Sequence, residues 1–331
     1  MMHRPIFGTR QQLQGLILSL TKDELAQNQG HAMSEAIART EPQTDLQVRP
    51  IAGSLGAEIS GVDLSAPLDA ATFAAIHRAF LDHQAVFFHD QHLTPEQFLG
   101  FGKRWGGIHF YPYMKGLDGH PEIFELVKKE DDTRVFGNRW HSDQMYTPIP
   151  AKATILYAKQ LPPVGGDTIF ADLYAAYDAL SDGMKAMLAG VRTFNNGENK
   201  ARYGGLSRAE WYKSADKGGM GGKLHDGSAP DAEVIAEHPI IRTHPETGRK
   251  ALYLGDQTER FVGMTVEESK PLLDYLIAHA HRPEFTYRFR WRVGSLALWD
   301  NRCTMHYAVA DYPGQRRVMH RLTIKGDAVP V

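Results

Sequence analysis

The stretch "SLALWDNRCTMHYAVADYPGQRRVMHRLTIKGD" (Ser295 to Asp327) decides the class of fold. "SLALWD" and "RRVMHRLTIKGD" read as strands, and "DYPGQ" supplies the proline and glycine of a turn between them. Just upstream, Phe285, Tyr287, Phe289 and Trp291 alternate with polar residues in "EFTYRFRW", the period of a strand with one packed face. Earlier in the chain "LQVRPI", "GAEISGVDL", "AVFFHD" and "ATILYA" add more short strands. Helices are fewer. Phe73, Ile76 and Phe80 recur at helical spacing, and another helix starts near Ser181. Thr94 with Gln97, and Thr265 with Glu268, stand at capping-box spacing, with Pro95 at a first helical position. Short strands dominate and helices flank them. The reading is therefore mainly β, a sandwich or barrel with helical packing, in preference to a parallel α/β sheet.

Residues 1 to about 45 are rich in Gln, Ala and Glu and end in the turn-prone "RTEPQTD". They are expected to form an N-terminal extension before a single domain over 46–331, with Met33 an alternative natural start to Met1. From Asn195 to Glu237 the chain is glycine-rich and lacks a sustained apolar period, so 195–237 is expected to be an insertion, either a lid or disordered. Across all 331 residues, 42% are hydrophobic and 23% charged, an ordinary globular balance. A formal net charge of -2 argues against nucleic acid as a partner. No apolar run approaches the roughly 20 residues of a membrane span. The single cysteine, Cys303, excludes an intramolecular disulfide and a multi-cysteine zinc site, which suits a reducing cytoplasm.

In "GNRWHSDQMYTPIP" (Gly137 to Pro150), His141 and Asp143 are two residues apart, so on an extended chain they project together while Ser142 points away. A metal held by two protein groups needs a third. Of the 16 histidines, His306, after the strand "SLALWD", is the best placed. Two histidines and one carboxylate on one face of an ion leave about three positions open, the arrangement of non-heme Fe(II) oxygenases. Beyond His306, strand parity puts Arg317, Met319, Arg321 and Thr323 on one face. The two arginines would stand about 13 Å apart along it, able to hold two anions through their planar forks.

With these blocks in view, the chain resembles the Fe(II)/2-oxoglutarate-dependent dioxygenases of the taurine dioxygenase and 2,4-dichlorophenoxyacetate dioxygenase (TauD/TfdA) type, from about Leu46 to the C-terminus. The resemblance rests on "WHSD" with "PAKATILYAKQLPPVGGDTIFAD", on "HPETGRKALY" and on "LWDNRCTMHYAVADYPGQRRVMHR". It implies a double-stranded β-helix (jelly-roll) core with His141, Asp143 and His306 as Fe(II) ligands. It further implies that Arg317 and Thr168 bind 2-oxoglutarate, and that Arg321 contacts the anionic group of the substrate. O2 then drives decarboxylation to succinate and CO2 with hydroxylation of a small anionic substrate: an aryloxyalkanoate, alkyl sulfate or sulfonate. C–O or C–S cleavage can follow. The family also suggests a homo-oligomer, dimer or tetramer. Where taurine dioxygenase itself carries a sulfonate-binding histidine, this chain has Tyr111, and its substrate-side asparagine falls on Gly137. Tyr111, Tyr113, Tyr146 and His109 would instead line a pocket for a larger or aromatic substrate. Trp140 and Trp299 are expected to pack around the metal strands, and Cys303 to be a small buried hydrophobe. The rivals are a non-catalytic metal and 2-oxoglutarate sensor, taurine dioxygenase proper, and a zinc hydrolase using the same three ligands.

Overall fold

Alternation along the strands builds the layers. The structure, a computed structural model, describes residues 45–110, 116–208, 210–211 and 234–331. The expected N-terminal extension and the glycine cluster Gly218 to Gly222 lie outside the described residues. Strands are numbered here in chain order. A seven-stranded sheet runs β1 (Gln47–Pro50), β2 (Ala57–Ser60), β3 (Ala85–Phe88), β13 (Leu296–Asp300), β5 (Ala153–Gln160), β15 (Arg317–Ile324), β4 (Phe124–Lys128). All its neighbours are antiparallel except β2 and β3. A three-stranded sheet runs β12 (Thr286–Phe289), β6 (Thr168–Asp172), β14 (Thr304–Ala308).

Residues of odd and even parity on the large sheet go to different cores, as a period of two dictates. Ala85, Phe87, Leu156, Ala158, Ala297, Trp299 and Met319 meet Phe170 and Phe289 of the small sheet in one core. Val86, Phe88, Ile155, Tyr157, Leu296, Leu298, Leu322 and Ile324 face the other way. They pack on helices α1 (Ala70–His83) and α2 (Pro95–Lys103) through Ile76, Phe80, Phe98 and Phe101. The outer face of the small sheet, with Ala171 and Met305, is covered by α3 (Leu173–Asp178) and α5 (Val266–Ala280) through Leu173, Leu273 and Leu276. Helix α4 (Asp182–Leu188) follows a Ser181 cap. The order of layers is helices, large sheet, small sheet, helices, and the mainly β reading of the sequence is borne out.

Both capping boxes form: Thr94 with Gln97 on α2 and Thr265 with Glu268 on α5. Thr265→Ala should cost about 0.5–2 kcal/mol, measurable as a drop in denaturant midpoint at constant slope, because it orphans the Glu268 N–H. Two boundaries differ from the sequence reading. Pro283–Phe285 forms a 3-10 turn, which takes Phe285 out of the alternation and into the core beneath α5. Asn195 and Asn196, expected within the insertion, end β7 (Arg192–Asn196), which pairs with β8 (Ile235–Pro239) on one side and β11 (Thr258–Phe261) on the other. The insertion thus leaves and re-enters through paired strands. Strands β9 (Ile241–Thr243) and β10 (Lys250–Leu252) pair as an antiparallel hairpin.

Candidate active site

His141 and His306 exchange both main-chain hydrogen bonds, at 3.1 and 2.8 Å, which sets their side chains opposite one another. Their rings lie 4.2 Å apart between centroids. Asp143 Oδ1 stands 3.6 Å from His141 Nε2 and 4.0 Å from His306 Nε2. Gly255 packs so closely on this segment that a Cβ would meet His141 Cα at 3.2 Å and the Trp140 carbonyl oxygen at 3.3 Å. All three candidate ligands are buried.

Donor chemistry suits a divalent ion. His141 Nδ1 donates to the Arg139 carbonyl at 2.7 Å, which leaves Nε2, facing Asp143, as the ring nitrogen open to a metal ion. Burial, with His141 beside it, holds His306 far below the usual imidazole range and therefore neutral, against the pull of Asp143. Burial alone would raise Asp143. Arg321, His306, His141 and a hydrogen bond from Thr154 overrule it and hold the carboxyl below the usual carboxylate range. Ligand atoms about 2.1 Å from one ion and cis to each other stand about 3 Å apart, so these separations are wide by about an ångström or less.

The cluster opens on a cavity of about 270 Å³. Arg134, Arg139, Arg202, Arg208 and Arg321 all line it. Arg321 Nη2 lies 2.7 Å from Asp143 Oδ1. Gln144, also on the wall, has φ 57°, a left-handed conformation that non-glycine residues hold only where the surroundings impose it. Tyr146 lines the cavity too, its hydroxyl accepting from Arg208 at 2.7 Å. His109 is half-buried; burial, and then Lys325, Arg321 and Arg208, push its pKa down to about 4. Tyr111 and Tyr113 lie outside the described residues.

Arg317 opens on a second cavity of about 30 Å³ beside Lys128 and Tyr312, which shares Arg134, Val135 and Phe136 with the first. Its Nε and Nη2 are buried without a hydrogen-bond partner, and burial lowers its pKa. Its guanidinium lies 5.9 Å from the Trp291 ring, whose Nε1 donates to Thr168 Oγ1 at 3.0 Å. Arg317, Trp291 and Thr168 therefore form one neighbourhood. Trp299 packs 4.7 Å from the His306 ring and Trp140 stacks on His281. Cys303 is buried in the core on the far side of the small sheet.

A second group, His244, Asp300 and Cys303, also brings ligand-type atoms together. Its chemistry is different. Arg302 donates to both Asp300 oxygens at 2.8 and 2.6 Å and to Glu246 at 2.6 Å, and His244 Nε2 meets Asp300 at 3.0 Å. The carboxylate is saturated by protein donors, so this network ties "HPETGRKALY" to "LWDNRC".

A family model described as taurine catabolism dioxygenase TauD, TfdA family matches residues 47–323. The chain belongs to the TauD/TfdA family. It is 36% identical over 301 residues, 90% of this chain and 96% of the other, to an alpha-ketoglutarate-dependent sulfate ester dioxygenase of Pseudomonas putida. It is 35% identical over 285 residues to an (S)-phenoxypropionate/alpha-ketoglutarate-dioxygenase of Sphingobium herbicidovorans, covering 85% of this chain and 95% of that one. Among solved structures, a taurine dioxygenase from Burkholderia xenovorans superposes with a TM-score of 0.69 at 35% identity, over 86% of this chain and 91% of the other. This TauD/TfdA protein is an enzyme, a dioxygenase that uses Fe(II), 2-oxoglutarate and O2. Two sets of side chains around its candidate site had escaped the sequence reading: the cavity arginines other than Arg321, and the polar groups behind Asp143. Arg134 and Arg139 flank Gly137 just before the His141 motif, a signal that was there to be read. Among the described residues no helix is long and apolar enough to cross a membrane.

Proposed function

We propose that this dioxygenase hydroxylates a small organic anion at the carbon bearing a sulfate-ester or aryl-ether oxygen. That carbon then carries two oxygens and collapses to a carbonyl as the C–O bond to sulfate or phenol breaks. One observation carries the substrate class: five arginines line the cavity, against which the acids seen at hand are Asp143, paired with Arg321, and Asp256, paired with Arg202. An anion gains from that field, whereas the ammonium of a zwitterion such as taurine would enter against it.

In this reading His141 Nε2, Asp143 Oδ1 and His306 Nε2 hold the iron. When bound, Fe(II) supplies, with O2 and 2-oxoglutarate, the oxidising power for hydroxylation, leaving succinate and CO2. Arg317 takes the distal carboxylate of 2-oxoglutarate, pairing a guanidinium that is otherwise buried with idle N–H groups. The Thr168 hydroxyl, already accepting from Trp291, keeps its own proton to donate to the same cosubstrate. Arg321, anchored on Asp143, meets the substrate anion, with His109 and Tyr111 as further substrate contacts. The facing sheets are read as the jelly roll of the family, and the enzyme as a cytoplasmic homo-oligomer.

The test is succinate formation by Fe(II)-loaded protein, with and without O2, across alkyl sulfates, aryloxyalkanoates and sulfonates including taurine. O2-dependent succinate stimulated by a sulfate ester or aryloxyalkanoate, with matching release of sulfate or phenol, is the expected result. Strongest stimulation by taurine, or by no anion at all, would sink the assignment.

A further inference from the structure

Behind Asp143, away from the cavity, runs a chain of polar groups sealed from solvent. Asn301 Oδ1 accepts two N–H groups, the Asp143 amide at 3.2 Å and Trp299 Nε1 at 3.0 Å. Two donors on one atom fix which end of the amide is oxygen, so Nδ2 must point the other way. There it donates to Thr154 Oγ1 at 3.0 Å. The threonine hydroxyl, holding an incoming donor, has one proton left, and its remaining neighbour is Asp143 Oδ2 at 2.6 Å. The Thr154 proton thus goes to Asp143 Oδ2. Thr154 and Asn301 are both 0% exposed, so water does not compete for these bonds.

We propose that Thr154 and Asn301 are positioning residues that restrict Asp143 to ligation through one oxygen, an inference that rests on the metal-site reading above. Thr154 engages Oδ2, and Oδ1, which Arg321 Nη2 also meets at 2.7 Å, is the oxygen that faces His141 Nε2 and His306 Nε2. A carboxylate free to turn would bind through both oxygens and fill a position that cosubstrate or O2 requires. The relay also reaches the other ligand strand. Asn301 sits in the connection from β13 to β14, which carries His306, and Trp299, its second donor, packs on the His306 ring. One amide thus sets the carboxylate against the histidine.

Metal-free protein titrated with Co(II), followed by calorimetry and by the d–d absorption bands, tests this without any turnover. Thr154→Val, which keeps shape and strand preference, should weaken Co(II) binding about 10- to 100-fold and alter the bands. Thr154→Ser should restore both. Thr154→Ala removes the same hydroxyl and serves if the valine variant does not fold. Unchanged affinity and bands in the hydroxyl-free variant, with wild type binding normally, would overturn the relay alone. Wild type that binds no Co(II), or binding undiminished by Asp143→Ala, would instead overturn the metal-site reading and the relay with it.

Discussion

Asp143→Ala is expected to abolish iron-dependent succinate formation and, separately, to destabilise the metal-free fold by about 3–5 kcal/mol. The second effect has its own cause. Arg321 Nη2 is 2.7 Å from Asp143 Oδ1, and both side chains are buried, so the variant leaves a guanidinium without its counter-charge. Adding Arg321→Leu should recover much of the lost stability and none of the activity. Urea unfolding of the single and double variants measures the first; succinate release measures the second. If the single variant unfolds like wild type, the ion pair contributes nothing. If it still turns over with iron, Asp143 is not a ligand.

Arg317→Ala should raise the 2-oxoglutarate concentration for half-maximal turnover by about 30-fold or more, since losing one partner of a desolvated charge pair costs about 2–5 kcal/mol. The same position should respond with the opposite sign when no cosubstrate is present. Nε and Nη2 are then buried without partners, so Arg317→Met is expected to stabilise the cosubstrate-free protein by about 1–3 kcal/mol. A normal 2-oxoglutarate requirement would remove Arg317 from that role. A fall in the melting temperature of the cosubstrate-free Met variant would show that the guanidinium is satisfied in the native state.

The sequence carried these charges because their spacing is local. His141 and Asp143 are two apart, and the 317–324 strand alternates cleanly, Met319 into one core and Leu322 and Ile324 into the other. Thr154 and Asn301 were invisible for the opposite reason. In "ATILYA" a threonine is an ordinary strand former, and it meets Asn301 only through the β5–β13 register that pairs Trp299 with Thr154. Arg202 and Arg208 sit where no period exists to place them. Phe285 was misassigned because Pro283 opens a tight turn that interrupts an apparent alternation. Local period was legible; long-range register and chain reversal were not.

The main-chain pairing of His141 with His306 has a consequence for how such an enzyme diversifies. Apart from that pair, the 197–234 segment is closed at its own base, where β7 and β8 pair Asn196 with Ile235 and the Gly197 N–H donates to the Val234 carbonyl. Doubling the length of a flexible loop adds only about 0.6 kcal/mol to the entropy of closing it. That segment can therefore lengthen, shorten or change charge while the two histidines keep their pairing. New substrate preferences can be sampled on this scaffold without rebuilding the centre that oxidises them.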